Sequence, residues 1–111
     1  QYKGAFPTWL APTQIRVIPV SLDNHDVYAK KINDLFMDYN LRSELDMREE
    51  KLGYKIRAAQ TEKIPYQIVV GDDEVANETV TYRKYGEKEQ ITVPIKDFVD
   101  LIQEEIIHKS K

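Results

Sequence analysis

The chain has 111 residues, of which 41% are hydrophobic and 32% charged, a balance that fits one globular domain and excludes a disordered chain. It contains no cysteine, which excludes disulfides and thiolate metal sites, and no apolar stretch approaches the roughly 18 residues of a membrane span. The net charge of −3 is unfavourable for binding phosphate, so any nucleic-acid site must be a local patch or must read the bases of a single strand.

Residues 1–13 are predicted to form a connector. This stretch is too apolar for a free tail, since it contains Phe6, Pro7, Trp9, Leu10 and Pro12. The chain begins at Gln1 without a start methionine, and we therefore expect a piece of a larger protein. The domain proper is predicted to span residues 14–111.

The first two elements are a strand and an amphipathic helix. Residues 15–20 form an apolar run that predicts a strand, and Pro19 is acceptable where the ladder finishes. Asn24, in the following polar loop, is the predicted helix cap, and Asn40 is the predicted stop. Apolar residues recur at helical spacing between them: Tyr28, Ile32, Leu35, Phe36 and Tyr39.

A second strand and a second helix follow. Residues 43–47 alternate between apolar and charged side chains, which is typical of an exposed strand. Residues 51–61 are predicted to be helical, with Leu52, Ile56 and Ala59 on one face.

The remainder of the chain contains the third strand, a hairpin and a closing helix. Tyr66–Val70 is almost uninterruptedly apolar, which indicates a central parallel strand. Residues 71–77 predict a loop or a short helical turn, and residues 79–84 and 90–93 predict two further strands. Pro94 fits the first turn of a last helix. That helix has an apolar face and a basic end: Phe98, Leu101, Ile102, Ile106, His108 and Lys109.

The element order β-α-β-α-β-β-β-α predicts an α/β fold. The first three strands are joined by two helical crossovers, which should be right-handed and should make those strands parallel. No internal repeat is present.

The sequence gives little support for a catalytic site. His25 and His108 are far apart in sequence, and each lies beside a helix end, where a solvated or capping histidine is expected. There is no glycine-rich phosphate loop, and no serine has a base or a nucleophile elbow. Asp72, Asp73 and Glu74 are consecutive, and adjacent side chains rarely converge on a metal, so a solvated loop is favoured.

One charged segment, residues 46–57, is placed where ligands gather. It follows the carboxyl end of a parallel strand and opens a helix, and open α/β sheets bind ligands at that edge. A solvated helix face would have the same composition. The pattern alone therefore leaves a binding segment and a solvated surface equally open.

Several motifs resemble threonyl-tRNA synthetases, and the similarity covers nearly the whole chain. Residues 4–12 are similar to the junction at which the catalytic domain of that family ends. Further family motifs are residues 46–60, with Arg48, Glu50, Lys51, Gly53, Tyr54, Lys55, Ile56 and Arg57, then Ile64-Pro65-Tyr66, Val69-Val70-Gly71-Asp72 and Glu74-Val75.

This resemblance implies the C-terminal anticodon-binding domain of a class IIa aminoacyl-tRNA synthetase. The implied fold is a three-layer α/β/α domain with a mixed five-stranded sheet of order 2-1-3-4-5, strand four being antiparallel to the rest. The implied function is recognition of the second and third anticodon bases of threonine tRNA. It implies no catalytic residue, metal or cofactor here. ATP, Mg and Zn belong to the catalytic domain of the parent ligase, a cytoplasmic homodimer without membrane contact.

Site residues carry over by position from the same resemblance. Glu74 and Arg83 match base-reading residues, and we expect them to form a pocket at the sheet edge. Lys63 stands where Arg or Lys is frequent, although the end of the second helix should lie at the opposite edge. Glu49 replaces the usual Asn and, as a carboxylate, can only accept hydrogen bonds.

Other residues are implied to contact the RNA less specifically. The implied phosphate contacts are Arg48, Lys51, Lys55 and Arg57, and the candidates for base stacking are Tyr54, Tyr82 and Tyr85. Two alternatives remain at this point. One is a small-molecule or regulatory binding module of the same fold, and the other is a subunit-interface domain that docks through residues 6–12.

Overall fold

The computed structural model describes residues 8–87 and 89–108. A short 3₁₀ turn, Thr8–Leu10, precedes the regular elements. In chain order these are β1 (Ile15–Pro19), α1 (Leu22–Asp38), β2 (Ser43–Leu45), α2 (Leu52–Thr61), β3 (Tyr66–Val70), α3 (Asp72–Asn77), β4 (Thr79–Lys84), β5 (Ile91–Pro94) and α4 (Ile95–His108). None of the helices in the described part of the chain is long and apolar enough to cross a membrane.

The five strands form one mixed sheet of order β2-β1-β3-β4-β5. Strand β1 pairs in parallel with β2 and β3, whereas β4 is antiparallel to both of its neighbours, β3 and β5. The predicted α/β class, strand order and antiparallel fourth strand are confirmed.

The first face of the sheet carries the hydrophobic core. Phe36 of α1 and Phe98 of α4 meet above it, with ring centroids 5.5 Å apart. The Phe98 ring also contacts Tyr66 at 5.4 Å and Tyr82 at 5.2 Å, in tilted and edge geometries that aromatic pairs favour. Tyr82 was a candidate for base stacking or, equally, for packing, and its burial in this cluster identifies packing as its role.

The second face is covered by one helix on one side only. Directly paired residues on neighbouring strands share a face, and Arg16, Gln67 and Arg83 are paired across β1, β3 and β4. Glu62, which follows α2, holds Arg16 at 2.6 Å, so α2 lies on this second face. With α1 and α4 opposite, the three layers are confirmed.

The part of this face beyond α2 is accessible. Val69, Thr81 and Arg83 are half-buried and Thr92 is exposed. We refer to these four residues as the open face.

Two predicted helix starts are wrong. Helix α1 begins at Leu22, so Asn24 lies within the helix and is not its cap. The N-cap residue is Ser21, whose N–H donates to the imidazole Nδ1 of His25 in the first turn at 3.0 Å. Pro94 ends β5 and does not enter the first turn of α4.

Helix α2 ends in a backbone arrangement that satisfies its last carbonyl groups. The Ile64 N–H donates to the Ala59 carbonyl at 3.0 Å, and the Lys63 N–H donates to the Gln60 carbonyl at 3.0 Å. This places Lys63 in the left-handed region, with φ of 59°. Glycine is the usual residue there because a Cβ atom is unfavourable in that conformation.

We therefore expect Lys63→Gly to stabilise the domain by about 0.5–1 kcal/mol, since it removes the left-handed strain. The free energy of unfolding in urea measures this change. Lys63→Ala is the control, because alanine removes the charged side chain but retains the Cβ. An equal gain for both variants would contradict a backbone origin.

Residues 8–13 of the predicted connector pack against the domain. The Gln14 amide donates to the Thr8 carbonyl at 3.0 Å, and Arg42 donates to the Ala11 carbonyl at 2.8 Å. The Thr8 hydroxyl donates to Glu105 on α4. Thr8, Ala11 and Gln14 are each at most 3% exposed, so the segment is part of the folded body.

Two predictions fall partly outside this description. Residues 1–7 of the predicted connector lie outside the described residues, and so does Lys109 at the predicted end of the last helix.

Candidate functional site

Glu74 is turned back onto the second face of the sheet by its own helix. The chain leaves β3 at Gly71, whose N–H donates to Glu74 Oε1 at 2.7 Å. The other carboxylate oxygen, Oε2, accepts the Thr81 hydroxyl at 2.7 Å. A Cβ on residue 71 would lie 3.2 Å from Val20 Cγ2 and 3.4 Å from Glu74 Oε1, so glycine allows this close approach.

Arg83 lies on the same face as the Glu74 carboxylate. It follows Thr81 by two positions on β4, and alternate residues of a strand point to the same side. Its Nε is buried without a hydrogen-bond partner, and its guanidinium forms no ion pair within residues 8–87 and 89–108. An unsatisfied buried donor is unfavourable by about 1–3 kcal/mol. Such a donor is typical of a group that binds a further acceptor.

The structure corrects where these two residues meet. The sequence predicts a pocket at the carboxyl edge of the sheet, but Arg83 pairs with Gln67, the second residue of β3. Because β4 runs antiparallel, each later residue of β4 lies closer to the amino end of β3. Glu74 and Arg83 thus share the second face of the sheet, and Thr81, two positions before Arg83 on β4, holds the Glu74 carboxylate there. Sequence reasoning missed Thr81. Its position two residues before Arg83 in an alternating strand was the available signal.

Helix α1 fixes the position of α3 and hence of Glu74. His25 Nε2 lies 2.7 Å from Asp72 Oδ1, and the Tyr28 hydroxyl donates to the Thr79 carbonyl at 2.8 Å. Since His25 Nδ1 accepts a backbone N–H, its Nε2 is protonated and donates the hydrogen bond to Asp72 Oδ1. His25 is 5% exposed, so the expected solvated histidine is wrong whereas the capping role is confirmed.

The Tyr28 hydroxyl remains a donor over the physiological range. Burial raises its pKa to about 12, with smaller contributions from Glu78 and Glu74. The start of β4 is therefore held by a neutral phenol at neutral pH.

Arg48, at the start of the charged segment, is already paired. Its Nε and Nη2 donate to the two oxygens of the buried Asp46 carboxylate at 3.0 and 2.8 Å, and its guanidinium lies 5.4 Å from the centre of the Tyr54 ring. Burial acts to raise the pKa of Asp46, but the hydrogen bonds from Arg48 outweigh it and the pKa is lowered. The positive charge of Arg48 is therefore partly neutralised, and its attraction for a phosphate is reduced.

The implied RNA-contacting residues of α2 and the preceding loop divide by exposure. Glu49, Lys51 and Arg57 are exposed, and these predictions remain open. Lys55 is 2% exposed, so its predicted phosphate contact is wrong. Lys55 follows Leu52 by three positions and therefore lies on the buried stripe of the helix.

Lys63 is not brought together with Glu74. It precedes β3 at the amino end, whereas Glu74 follows β3 at the carboxyl end. A five-residue strand separates the two positions by roughly 15 Å.

A charged cluster closes the other side of the second face. Arg16 Nη2 lies 3.0 Å from Glu44 and 2.6 Å from Glu62, beneath a cavity of about 220 Å³ that all three line. The hydrogen bond from Arg16 holds the pKa of Glu62 below its ordinary value of 4.5. A single nitrogen of Arg16, Nη2, thus makes both ion pairs and joins β1, β2 and the end of α2.

The low pKa of Glu62 makes the stability of the domain depend on pH. Its contribution is present above the unfolded-state pKa of 4.5 and is lost as pH falls through the lower folded-state pKa. We expect Glu62→Gln to flatten the decline in unfolding free energy below pH 4.5, as measured by urea unfolding between pH 7 and pH 3. Glu50→Gln, at an exposed carboxylate, is the control and should leave the decline unchanged.

Comparisons with known proteins agree with this architecture. The family model described as "Anticodon binding domain" matches residues 14–105. The chain is 51% identical over 109 residues to threonine–tRNA ligase of Oceanobacillus iheyensis, covering 98% of this chain and 17% of that protein. It is 50% identical to threonine–tRNA ligase of Acholeplasma laidlawii, with the same coverage.

A solved structure supports the fold independently. The RNA-binding domain of threonyl-tRNA synthetase from Cryptosporidium parvum Iowa II superimposes with a TM-score of 0.87 at 23% identity, covering 93% of this chain and 26% of that chain. The present chain spans only 17% of the length of the ligases it matches. The resemblance inferred from the motifs is confirmed, and the chain belongs to the anticodon binding domain family.

Proposed function

We propose that this chain binds the anticodon loop of threonine tRNA as one domain of a threonine–tRNA ligase. Binding would position the tRNA so that the catalytic domain of the parent activates threonine with ATP and transfers it. Family membership and the names of the similar ligases support this proposal.

The observation that carries the proposal is the pairing of opposite chemistries on the open face. The Glu74 carboxylate accepts hydrogen bonds from base amino groups, and the Arg83 guanidinium donates two, matching O6 and N7 of guanine. Thr81 fixes the carboxylate at 2.7 Å, whereas Arg83 has no acceptor among the described residues. Unstacked bases laid across this surface would supply acceptors for the terminal nitrogens of Arg83.

Phosphate contacts would be few. Lys51 and Arg57 are exposed and of suitable charge, while Arg48 is neutralised by Asp46. The exposed Glu49 accepts from a base or contributes no contact. With a net charge of −3, the domain should bind weakly and with marked sensitivity to salt.

In this proposal the cofactors and the oligomeric state are properties of the parent ligase. ATP, Mg and Zn are assigned to its catalytic domain, and the parent is a cytoplasmic homodimer. The domain itself contributes no catalytic residue.

Titration of the 111-residue chain with a threonine anticodon stem-loop tests the proposal. We expect weak binding that a scrambled anticodon loop reduces about tenfold or more, because base contacts carry the discrimination. Equal binding to both loops would contradict base reading. Binding to neither RNA would favour a small-molecule module, and concentration-dependent self-association without RNA binding would favour an interface domain.

A further inference from the structure

A row of buried nitrogen atoms crosses the second face of the sheet. Arg16, Gln67 and Arg83 are directly paired on β1, β3 and β4. The Nε of each arginine and the Nε2 of Gln67 are buried, and none has a hydrogen-bond partner among the described residues. We call these three atoms the donor row. Because buried donors in folded proteins are almost always hydrogen-bonded, three unsatisfied neighbours indicate that an acceptor belongs among them.

Gln67 is the member of the row that can supply this acceptor. A guanidinium has only donors, whereas the glutamine amide has a carbonyl oxygen beside its NH₂ group. A half-turn about the last side-chain bond exchanges these two atoms and hardly alters the packing. The Gln67 side chain is 2% exposed, so its oxygen then takes the buried position of Nε2, on the face that it shares with Arg16 and Arg83.

Arg83 has fewer hydrogen-bond partners among the described residues than Arg16. Arg16 is already held by Glu44 at 3.0 Å and by Glu62 at 2.6 Å. The guanidinium of Arg83 has neither partner, although its Cβ lies only about 5 Å from that of the paired Gln67. The orientation of Arg83 therefore depends on Gln67.

We propose that the Gln67 amide oxygen accepts the Nε–H of Arg83 and positions this guanidinium on the open face. Its Nη1 and Nη2 groups then point away from the sheet as a pair, the arrangement that meets two acceptors of a base edge. Gln67 is thus a positioning residue, acting on the ligand through Arg83. The contact stands by itself, and its effect on RNA binding rests on the proposed function.

Nuclear magnetic resonance tests the contact on the unmodified chain without RNA. A scalar coupling across the hydrogen bond from Arg83 Nε to the Gln67 side-chain carbonyl carbon is expected, together with slow solvent exchange of the Nε–H. Gln67→Met, which has similar length but no acceptor, should abolish the coupling and accelerate exchange. Gln67→Glu keeps an acceptor and should retain slow exchange. Absence of the coupling in the unmodified chain, with exchange as fast as in Gln67→Met, overturns the proposal.

Binding of the threonine anticodon stem-loop tests the consequence. We expect Gln67→Met to weaken binding about two- to tenfold, the value of one ordinary hydrogen bond. In an Arg83→Ala background the same change should have no further effect. Equal weakening in both backgrounds would show that Gln67 acts independently of Arg83. If the unmodified chain binds no RNA, the proposed function fails while the coupling and exchange still decide the contact.

Discussion

Arg83→Ala is expected to weaken binding of the threonine anticodon stem-loop by about 1–3 kcal/mol, or roughly five- to 150-fold. The guanidinium supplies the paired N–H donors of the open face, and removing it leaves the acceptors of the base without hydrogen-bond donors. The Glu74 carboxylate would remain in place because Gly71 and Thr81 hold it. Titration by calorimetry or fluorescence anisotropy at fixed salt measures the change.

Two control variants separate base reading from charge. Arg83→Lys keeps the positive charge but not the planar fork, and should lose most of the discrimination between the matched and the scrambled loop. Arg57→Ala removes an exposed charge and should weaken binding to both loops equally while lowering the salt dependence. If Arg83→Ala weakened both loops equally, Arg83 would be a phosphate contact and not a base reader.

Phe98→Ala is expected to have the largest effect on stability, a loss of about 3–5 kcal/mol in the free energy of unfolding. Phe98 is fully buried and contacts the rings of Phe36, Tyr66 and Tyr82. Alanine would leave a cavity where α1, α4 and the sheet meet. The free energy of unfolding of an ordinary domain is only about 5–15 kcal/mol, so the variant would be only marginally stable.

The matched control for this prediction lies on the same helix. Ile107 is 74% exposed, and Ile107→Ala should change the unfolding free energy by less than about 0.5 kcal/mol. Chemical denaturation of both variants provides the comparison. Similar losses for the two would show that α4 does not seal the core through Phe98.

Hydrophobic periodicity predicted the elements and their order, but not all of their ends. The unbroken apolar run of β3 indicated a central strand, and it lies between β1 and β4. Helix starts were harder because several residues near α1 are suitable caps. Asn24 has a preferred capping side chain, yet Ser21 is the N-cap residue and its N–H donates to the buried imidazole of His25. Such a contact depends on α3, which is distant in sequence.

The site was predicted less completely than the fold. Glu74 and Arg83 were identified by position and the antiparallel fourth strand was implied, but the register that sets Arg83 opposite Gln67 is not encoded by residue type. Lys55 was assigned to solvent because of its charge. Its long aliphatic stem packs in the apolar stripe of α2, and spacing from Leu52 was the better guide.

The attachment of residues 8–11 limits how the domain can move. Gln14, Arg42 and Glu105 anchor this segment to β1, to the chain before β2 and to α4. These three hydrogen bonds, to different parts of the domain, restrict movement of the segment. A domain joined before Thr8 would thus be attached in a fixed orientation. A force applied at Thr8 would be transmitted directly to the sheet.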